Sequence, residues 1–143
     1  ICGMYDSYGK QIKDRFLESL PSLKRLRDRV DLACGKGYLK AIDQRNLIIR
    51  QKHSAVNTLI QGAGAIAMKK ALVLLDKEIE KNNIDALPVA NVHDEFQYQV
   101  KENQADKLGQ LAVQCITNAG KELNIRCPLT GEYKIGNNWK ETH

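Results

Sequence analysis

Two strand-like runs that meet at three reactive residues constrain the fold of this chain more than any other feature. They lie in the stretch VANVHDEFQYQV, residues 89–100. The run from Leu87 to Val92 is almost entirely apolar. In the second run, apolar residues alternate strictly with glutamines, at Phe96, Tyr98 and Val100. Period-2 alternation beside a short polar junction predicts a β-hairpin.

The predicted hairpin tip holds His93, Asp94 and Glu95. Two adjacent carboxylates at the end of a buried strand are costly unless another charge compensates them. Because a metal ion is the usual compensation, we expect the chemistry of this chain at the hairpin tip. A structural alternative is a turn in which Asp94 caps its own backbone.

Two metal chemistries are compatible with the tip. A His-Asp phosphohydrolase needs several more histidine ligands, and only His53 and His143 remain. Phosphoryl transfer by two metal ions needs a second aspartate from another strand. No other aspartate of the chain lies at the end of a strand as Asp94 does, since Asp43 lies in a predicted turn and Asp106 starts a predicted helix. The sequence therefore predicts one half of a two-metal site.

A long helix from about residue 54 to residue 81 precedes the hairpin. His53, Asn57 and Gln61 are spaced four residues apart and so share one side of it. Uncharged donors of this kind suit the minor groove of a duplex, where every base pair offers acceptors. Gly62 and Gly64 follow, at a cost of roughly 1 kcal/mol each relative to alanine, which a close-approaching partner would explain. Alternatively, the amides bind neighbouring strand ends and the glycines allow tight helix–sheet packing.

The charge of the 143-residue chain is uneven. The net charge is +5, and residues 1–53 hold twelve Lys and Arg against six Asp and Glu. Such an excess favours a polyanionic partner such as nucleic acid, with a solvated basic helix face as the alternative. The sequence contains no run of 18 or more apolar residues, so we predict no membrane-spanning segment. Without a signal-peptide pattern, we expect a cytoplasmic protein. The four widely spaced cysteines predict buried free thiols in a reducing compartment rather than a metal or redox motif.

The remaining patterns predict an α+β fold in a single domain. Helices are expected over residues 7–19, 21–34 and 103–123, a second hairpin around Asp43 and Gln44, and one last short strand in the tail. The segments are residues 1–35 (helices), 36–50 (hairpin) and 54–143, which hold the long helix, the His-Asp-Glu hairpin, a helix and the terminal strand.

Several of these stretches match one known family in order. They are VHDE (92–95), HSAVNTLIQGAGA (53–65), RFLESLPSLKRLRD (15–28), GYLKAIDQRNLIIR (37–50) and the ending PLTGEYKIGNNWKETH. Together they resemble the C-terminal part of family A (DNA polymerase I-like) DNA polymerases, with bacteriophage replicative enzymes as the nearest type. The resemblance implies that residues 1–35 follow the fingers and that residues 54–143 belong to the palm.

Roles follow from this resemblance position by position. Asp94 would be a catalytic Mg²⁺ ligand, one of the groups that hold two ions in the complete enzyme, and Glu95 an auxiliary acid. DNA contacts are implied for five residues: His53, Asn57, Gln61, His93 and Arg45. The implied partners are primer-template DNA, deoxynucleoside triphosphates and the rest of the polymerase chain, without a membrane. His at position 53 is typical of phage members, which places the expected setting in the cytoplasm of a bacterial host.

Other parts of the family pattern do not occur here. The Asp-Tyr-Ser element that supplies the other metal-binding aspartate is missing, as is the fingers helix that handles the incoming nucleotide. The chain also begins at Ile1 without an initiator methionine, so we expect a piece of a longer polymerase that is inactive alone. Alternatives are a stand-alone nucleic-acid-binding module or one subunit of a split polymerase.

Overall fold

The computed structural model describes residues 6–142. Predictions that concern Cys2 and His143 therefore lie outside the described residues. The chain divides into two compact units, residues 1–60 and residues 61–143. The elements are helices and antiparallel strands in the α+β arrangement that the patterns predict.

The first unit contains two helices and a small hairpin. Helix α1 spans Asp6–Ser19, and helix α2 spans Pro21–Ala33. Pro21 opens α2 because its missing N–H has no partner to lose in a first turn. Strands β1 (Tyr38–Lys40) and β2 (Asn46–Ile48) pair antiparallel. The core of this unit forms around three buried residues: Val30, Leu39 and Ala55.

The second unit contains most of a long helix, a second hairpin and a further helix. A 3₁₀ turn, Lys52–Ser54, runs into α3, Ala55–Lys81, whose first six residues belong to the first unit. Strands β3 (Ala86–Val92) and β4 (Glu95–Val100) pair antiparallel, and α4 spans Glu102–Glu122. The predicted hairpin and helices are confirmed.

The core of the second unit explains the alternation in β4. Leu75 of α3 and Leu108 and Cys115 of α4 are buried together. Three alternating residues of β4 pack against them: Phe96, Tyr98 and Val100. One face of β4 therefore covers the helices, as period-2 spacing predicts.

Three expectations are wrong. The predicted final strand is absent from the described residues, because the tail after α4 forms no ladder and ends in a short helix, α5, Trp139–Thr142. Strand β3 is not buried, since the side chains of Leu87, Val89 and Val92 are 64%, 66% and 42% exposed. Of the free thiols, Cys115 is buried but Cys127 is exposed.

One helix among the described residues is long and apolar enough to cross a membrane. It covers Lys52–Lys81, with a window mean hydropathy of 1.4 and 22% of that window buried. A single helix of this kind is weak evidence, because core helices of soluble proteins have the same length and composition. The prediction that no segment spans a membrane stays a prediction.

Candidate active site

The tip of the second hairpin is a two-residue connection. Val92 pairs with Glu95, so that His93 and Asp94 alone join the strands. His93 has a φ of +54°. Two-residue hairpin loops need positive φ to match the twist of the strands, and glycine or asparagine usually supplies it. A histidine there adopts an uncommon conformation.

The three tip residues differ in their surroundings. His93 and Asp94 are exposed, and Glu95 is half-buried. The side-chain amide of Gln97 donates a hydrogen bond to Glu95, while Asp94 has no hydrogen-bond or ion-pair partner within residues 6–142. The carboxylate of Asp94 therefore reaches solvent, and the expectation that burial makes it costly is wrong.

A cavity of about 520 Å³ lies behind the tip. Asp94 and Glu95 line it together with residues of β4, α4 and the chain after α4. Tyr98 also lines it, and burial raises the pKa of its phenol, which the nearby Asp76 carboxylate and Cys115 thiol raise further. The lining thus combines acidic and apolar side chains.

The acids at the tip are too few to form a complete metal site. Within residues 6–142, no group of three or more His, Cys, Asp or Glu side chains is placed to hold a metal ion. Asp43 is held by the guanidinium of Arg45 at 2.6 Å, and Asp106 accepts hydrogen bonds from Tyr133 and Gln110. At this tip the acids are Asp94 and Glu95, and Glu95 accepts a hydrogen bond from Gln97.

The predicted DNA-facing residues are exposed. His53 lies in the 3₁₀ turn just before α3, and Asn57 and Gln61 follow one turn apart within α3. Neither side-chain amide has a hydrogen-bond partner among the described residues, so neither binds a strand end. A Cβ added at Gly64 would meet no atom within 4 Å. Helix–sheet packing within the described chain therefore does not account for this glycine.

Arg45 is in a different position from the other predicted DNA contacts. It lies in the tip of the first hairpin, where its Nε donates to Asp43 Oδ2 at 2.6 Å. Part of its charge is therefore neutralised within the turn itself. The structure places Arg45 at the surface of the first unit and gives no further sign of its role.

Comparison with known proteins identifies the family. The model of DNA polymerase family A matches residues 4–141. The chain belongs to this family. A DNA-directed DNA polymerase of Escherichia phage Phieco32 is 38% identical over 142 residues, which is 94% of this chain and 23% of that protein. DNA polymerase I of Bacillus caldotenax is 30% identical over 88% of the chain and 16% of its own length.

The fold of this family A chain also matches a solved structure. The POL domain of Pol1 from M. smegmatis, in complex with DNA primer-template and dNTP, superposes with a TM-score of 0.73 at 25% identity. That match covers 82% of this chain and 23% of the other. The chain spans under a quarter of the length of the phage relative, so activities of whole polymerases come to it only as proposals.

Sequence reasoning missed one group near the tip. Tyr133 donates a hydrogen bond to Asp106 and lines the same cavity as Asp94. The only signal was indirect, because Gly109 interrupts the apolar pattern of α4 at the point where the Tyr133 ring packs.

Proposed function

We propose that this chain supplies one half of the active site of a DNA-directed DNA polymerase. Template-directed polymerisation joins a primer 3′-hydroxyl to the α-phosphate of a deoxynucleotide and releases pyrophosphate. The observation that carries the proposal is Asp94, an exposed and unpartnered carboxylate within residues 6–142 of a family A chain. In this proposal, further polypeptide supplies the second carboxylate.

The donor chemistry at the tip fits part of a magnesium site. Carboxylate oxygens are the ligands that Mg²⁺ prefers, and it takes only one or two from the protein. When bound, two such ions activate the attacking hydroxyl and neutralise charge on the leaving group. Asp94 would hold them, and Glu95, fixed by its hydrogen bond from Gln97, would add negative charge close by. These side chains act by positioning and electrostatics.

The exposed surface of β3 supports the proposal that further polypeptide packs beside this strand. Leu87 and Val89 are mostly exposed, and β3 pairs only with β4 among the described strands. Exposed apolar residues on an unpaired strand edge are a ready site for another strand. A further segment of a polymerase that covered this edge could bring the second aspartate to the tip.

The exposed amides on α3 support DNA as the partner. Asn57 and Gln61 could each donate to purine N3 or pyrimidine O2, acceptors that all base pairs present in the minor groove. The open space at Gly64 would let a duplex backbone approach the helix closely. His93, at the strained tip, would contact the primer terminus. His53 and Arg45 are proposed as further DNA contacts, in a phage-type enzyme of a bacterial host's cytoplasm.

Primer extension tests the proposal. The 143-residue chain alone should show no metal-dependent extension, whereas a complete polymerase containing this sequence should extend a primer. Asp94→Asn in the complete enzyme should lower the extension rate on the order of a thousandfold and leave duplex binding intact. Glu80→Gln, an exposed acid of α3 away from the tip, is the matched control and should extend at the normal rate. Robust extension by the isolated chain, or by Asp94→Asn, would contradict the proposal.

The second candidate is a nucleic-acid-binding module without its own catalysis, which either stands alone or is one subunit of a split polymerase. It is favoured by the basic excess in residues 1–53, with twelve Lys and Arg against six Asp and Glu. The stand-alone form would be favoured by two results together. Duplex binding would weaken steeply with salt, and adding an upstream polymerase segment would restore no extension. Extension restored on mixing with a second polypeptide would instead identify a split polymerase.

A further inference from the structure

The chain after α4 is held along that helix without forming a strand. We call residues 129–136 the strap. At one end of the strap, the Thr117 hydroxyl donates a hydrogen bond to the Leu129 carbonyl at 2.9 Å. The Val113 carbonyl of its own helix lies 3.2 Å from the same hydroxyl, so the two carbonyls share its single proton. The strap is therefore fixed to α4 by side chains rather than by a ladder.

Glycines make the close contact possible. A Cβ at Gly109 of α4 would lie 2.2 Å from the ring of Tyr133, and one at Gly120 would lie 3.0 Å from Leu129. In the opposite direction, a Cβ at Gly131 of the strap would lie 2.8 Å from Ile116. Real Cβ atoms essentially never approach a ring as closely as at Gly109, so the Tyr133 ring can pack there only because residue 109 lacks a side chain. At Gly120 and Gly131 the contacts are with flexible side chains, which a small shift could relieve.

The Tyr133 end carries the most specific contact. Its hydroxyl donates to Asp106 Oδ1 at 2.6 Å, and Gln110 Nε2 donates to Asp106 Oδ2 at 2.8 Å. Hydrogen bonds to a carboxylate are stronger than those between neutral groups. Asp106 and Gln110 are one helical turn apart, so α4 presents a preformed acceptor to the strap. Tyr133 thus fixes the strap both by its ring and by its hydroxyl.

The strap is also a wall of the cavity behind the hairpin tip. Glu132, Tyr133 and Lys134 line that cavity together with Asp94 and Glu95. We propose that Tyr133 is a positioning residue. It fixes the strap to α4 and thereby holds in place the part of the cavity lining that the strap shares with Asp94 and Glu95. The proposal rests on the proposed polymerase function of that tip. Tyr133 itself would touch neither DNA nor nucleotide.

The locking contact can be tested in the 143-residue chain. Tyr133→Phe removes only the hydroxyl, and trypsin cleavage after Lys134 within the strap should become roughly tenfold faster or more, the loss expected for one hydrogen bond to a charged group. Cleavage after Arg126, which precedes the strap, is the internal control and should not change. Asp106→Asn keeps an acceptor for Tyr133 but not its charge and should lose part of the protection, whereas Asp106→Ala should lose it all.

The effect on the tip needs the complete polymerase. Tyr133→Phe should raise the Mg²⁺ concentration for half-maximal extension several-fold while the Kd for primer-template stays unchanged. Asp106→Asn keeps a weaker hydrogen bond and should give a smaller rise. Tyr8→Phe, an exposed tyrosine on α1, is the matched control. A merely structural role would lower the amount of active enzyme without moving the Mg²⁺ dependence.

The outcomes separate this proposal from the proposed function. Unchanged cleavage after Lys134 in Tyr133→Phe, or an unchanged Mg²⁺ dependence, would overturn the positioning role even if Asp94→Asn is inactive. Normal extension by Asp94→Asn would overturn the proposed function, whatever the strap does.

Discussion

The two hairpin tips of this chain look alike in sequence and differ in what their acids do. Each tip has an aspartate next to a non-glycine residue at positive φ, Gln44 at +70° in the first and His93 at +54° in the second. In the first tip, Asp43 accepts from the backbone N–H and the side chain of Arg45. In the second, Asp94 has no such partner within residues 6–142. The first acid stabilises its own turn, and no contact within residues 6–142 gives the second such a role.

This difference separates a structural acid from a functional candidate more sharply than exposure does. Both aspartates lie in loops of two-stranded sheets. Local side-chain-to-backbone hydrogen bonds are the ordinary reason for aspartate in a turn, and they account for Asp43. Since they do not account for Asp94, a role in binding is the better explanation for that residue.

The largest difference expected between the two tips is in the rate of primer extension. Asp94→Asn in the complete polymerase should lower the extension rate on the order of a thousandfold, as losing one well-placed electrostatic group can. The same change at the first tip, Asp43→Asn, should leave the rate within about twofold, because Asp43 serves only its turn. Steady-state primer extension measures both. Equal losses in the two variants would mean that the tips do not differ as proposed.

Much of this contrast lay within reach of the sequence. Alternation at Phe96, Tyr98 and Val100 predicted the hairpin and its buried face, because period-2 spacing is a local property. The predicted tip held three residues, whereas Glu95 pairs with Val92 and only His93 and Asp94 join the strands. The burial of β3 could not be predicted, since apolar composition does not reveal which neighbours are present to cover a strand.

The site shows the same limit. The sequence singles out Asp94 as a candidate but gives no sign of the pairing of Asp106 with Tyr133, whose members are 27 residues apart. No short-range pattern links such residues. The missing final strand has a similar cause, because a strand requires a partner and none of the described residues pairs with residues 129–136.

A moderate effect on stability is expected at the first tip. Asp43→Ala removes the carboxylate that binds both the N–H and the guanidinium of Arg45. Exposed pairs of this kind contribute about 0.2–1 kcal/mol, so protection of the β1–β2 amides should fall by up to roughly fivefold. Hydrogen exchange read by mass spectrometry measures it. Asp94→Ala is the control and should leave the β3–β4 amides as they were, and a loss of protection there would make Asp94 a structural acid too.

The smallest effect concerns the two residues at positive φ. Glycine adopts this conformation without steric cost but loses more conformational entropy on folding, so Gln44→Gly and His93→Gly should each change the free energy of unfolding by less than about 1 kcal/mol. Chemical denaturation, followed by exchange at each hairpin, measures the two shifts. The variants should separate only in function. His93→Gly should raise the KM for primer-template in the complete polymerase, because the imidazole that we propose contacts the primer terminus is gone, while Gln44→Gly should not. If His93→Gly kept a normal KM and the hairpin gained stability, the strain at His93 would have no function that primer binding reveals, and the second tip would differ from the first in Asp94 alone.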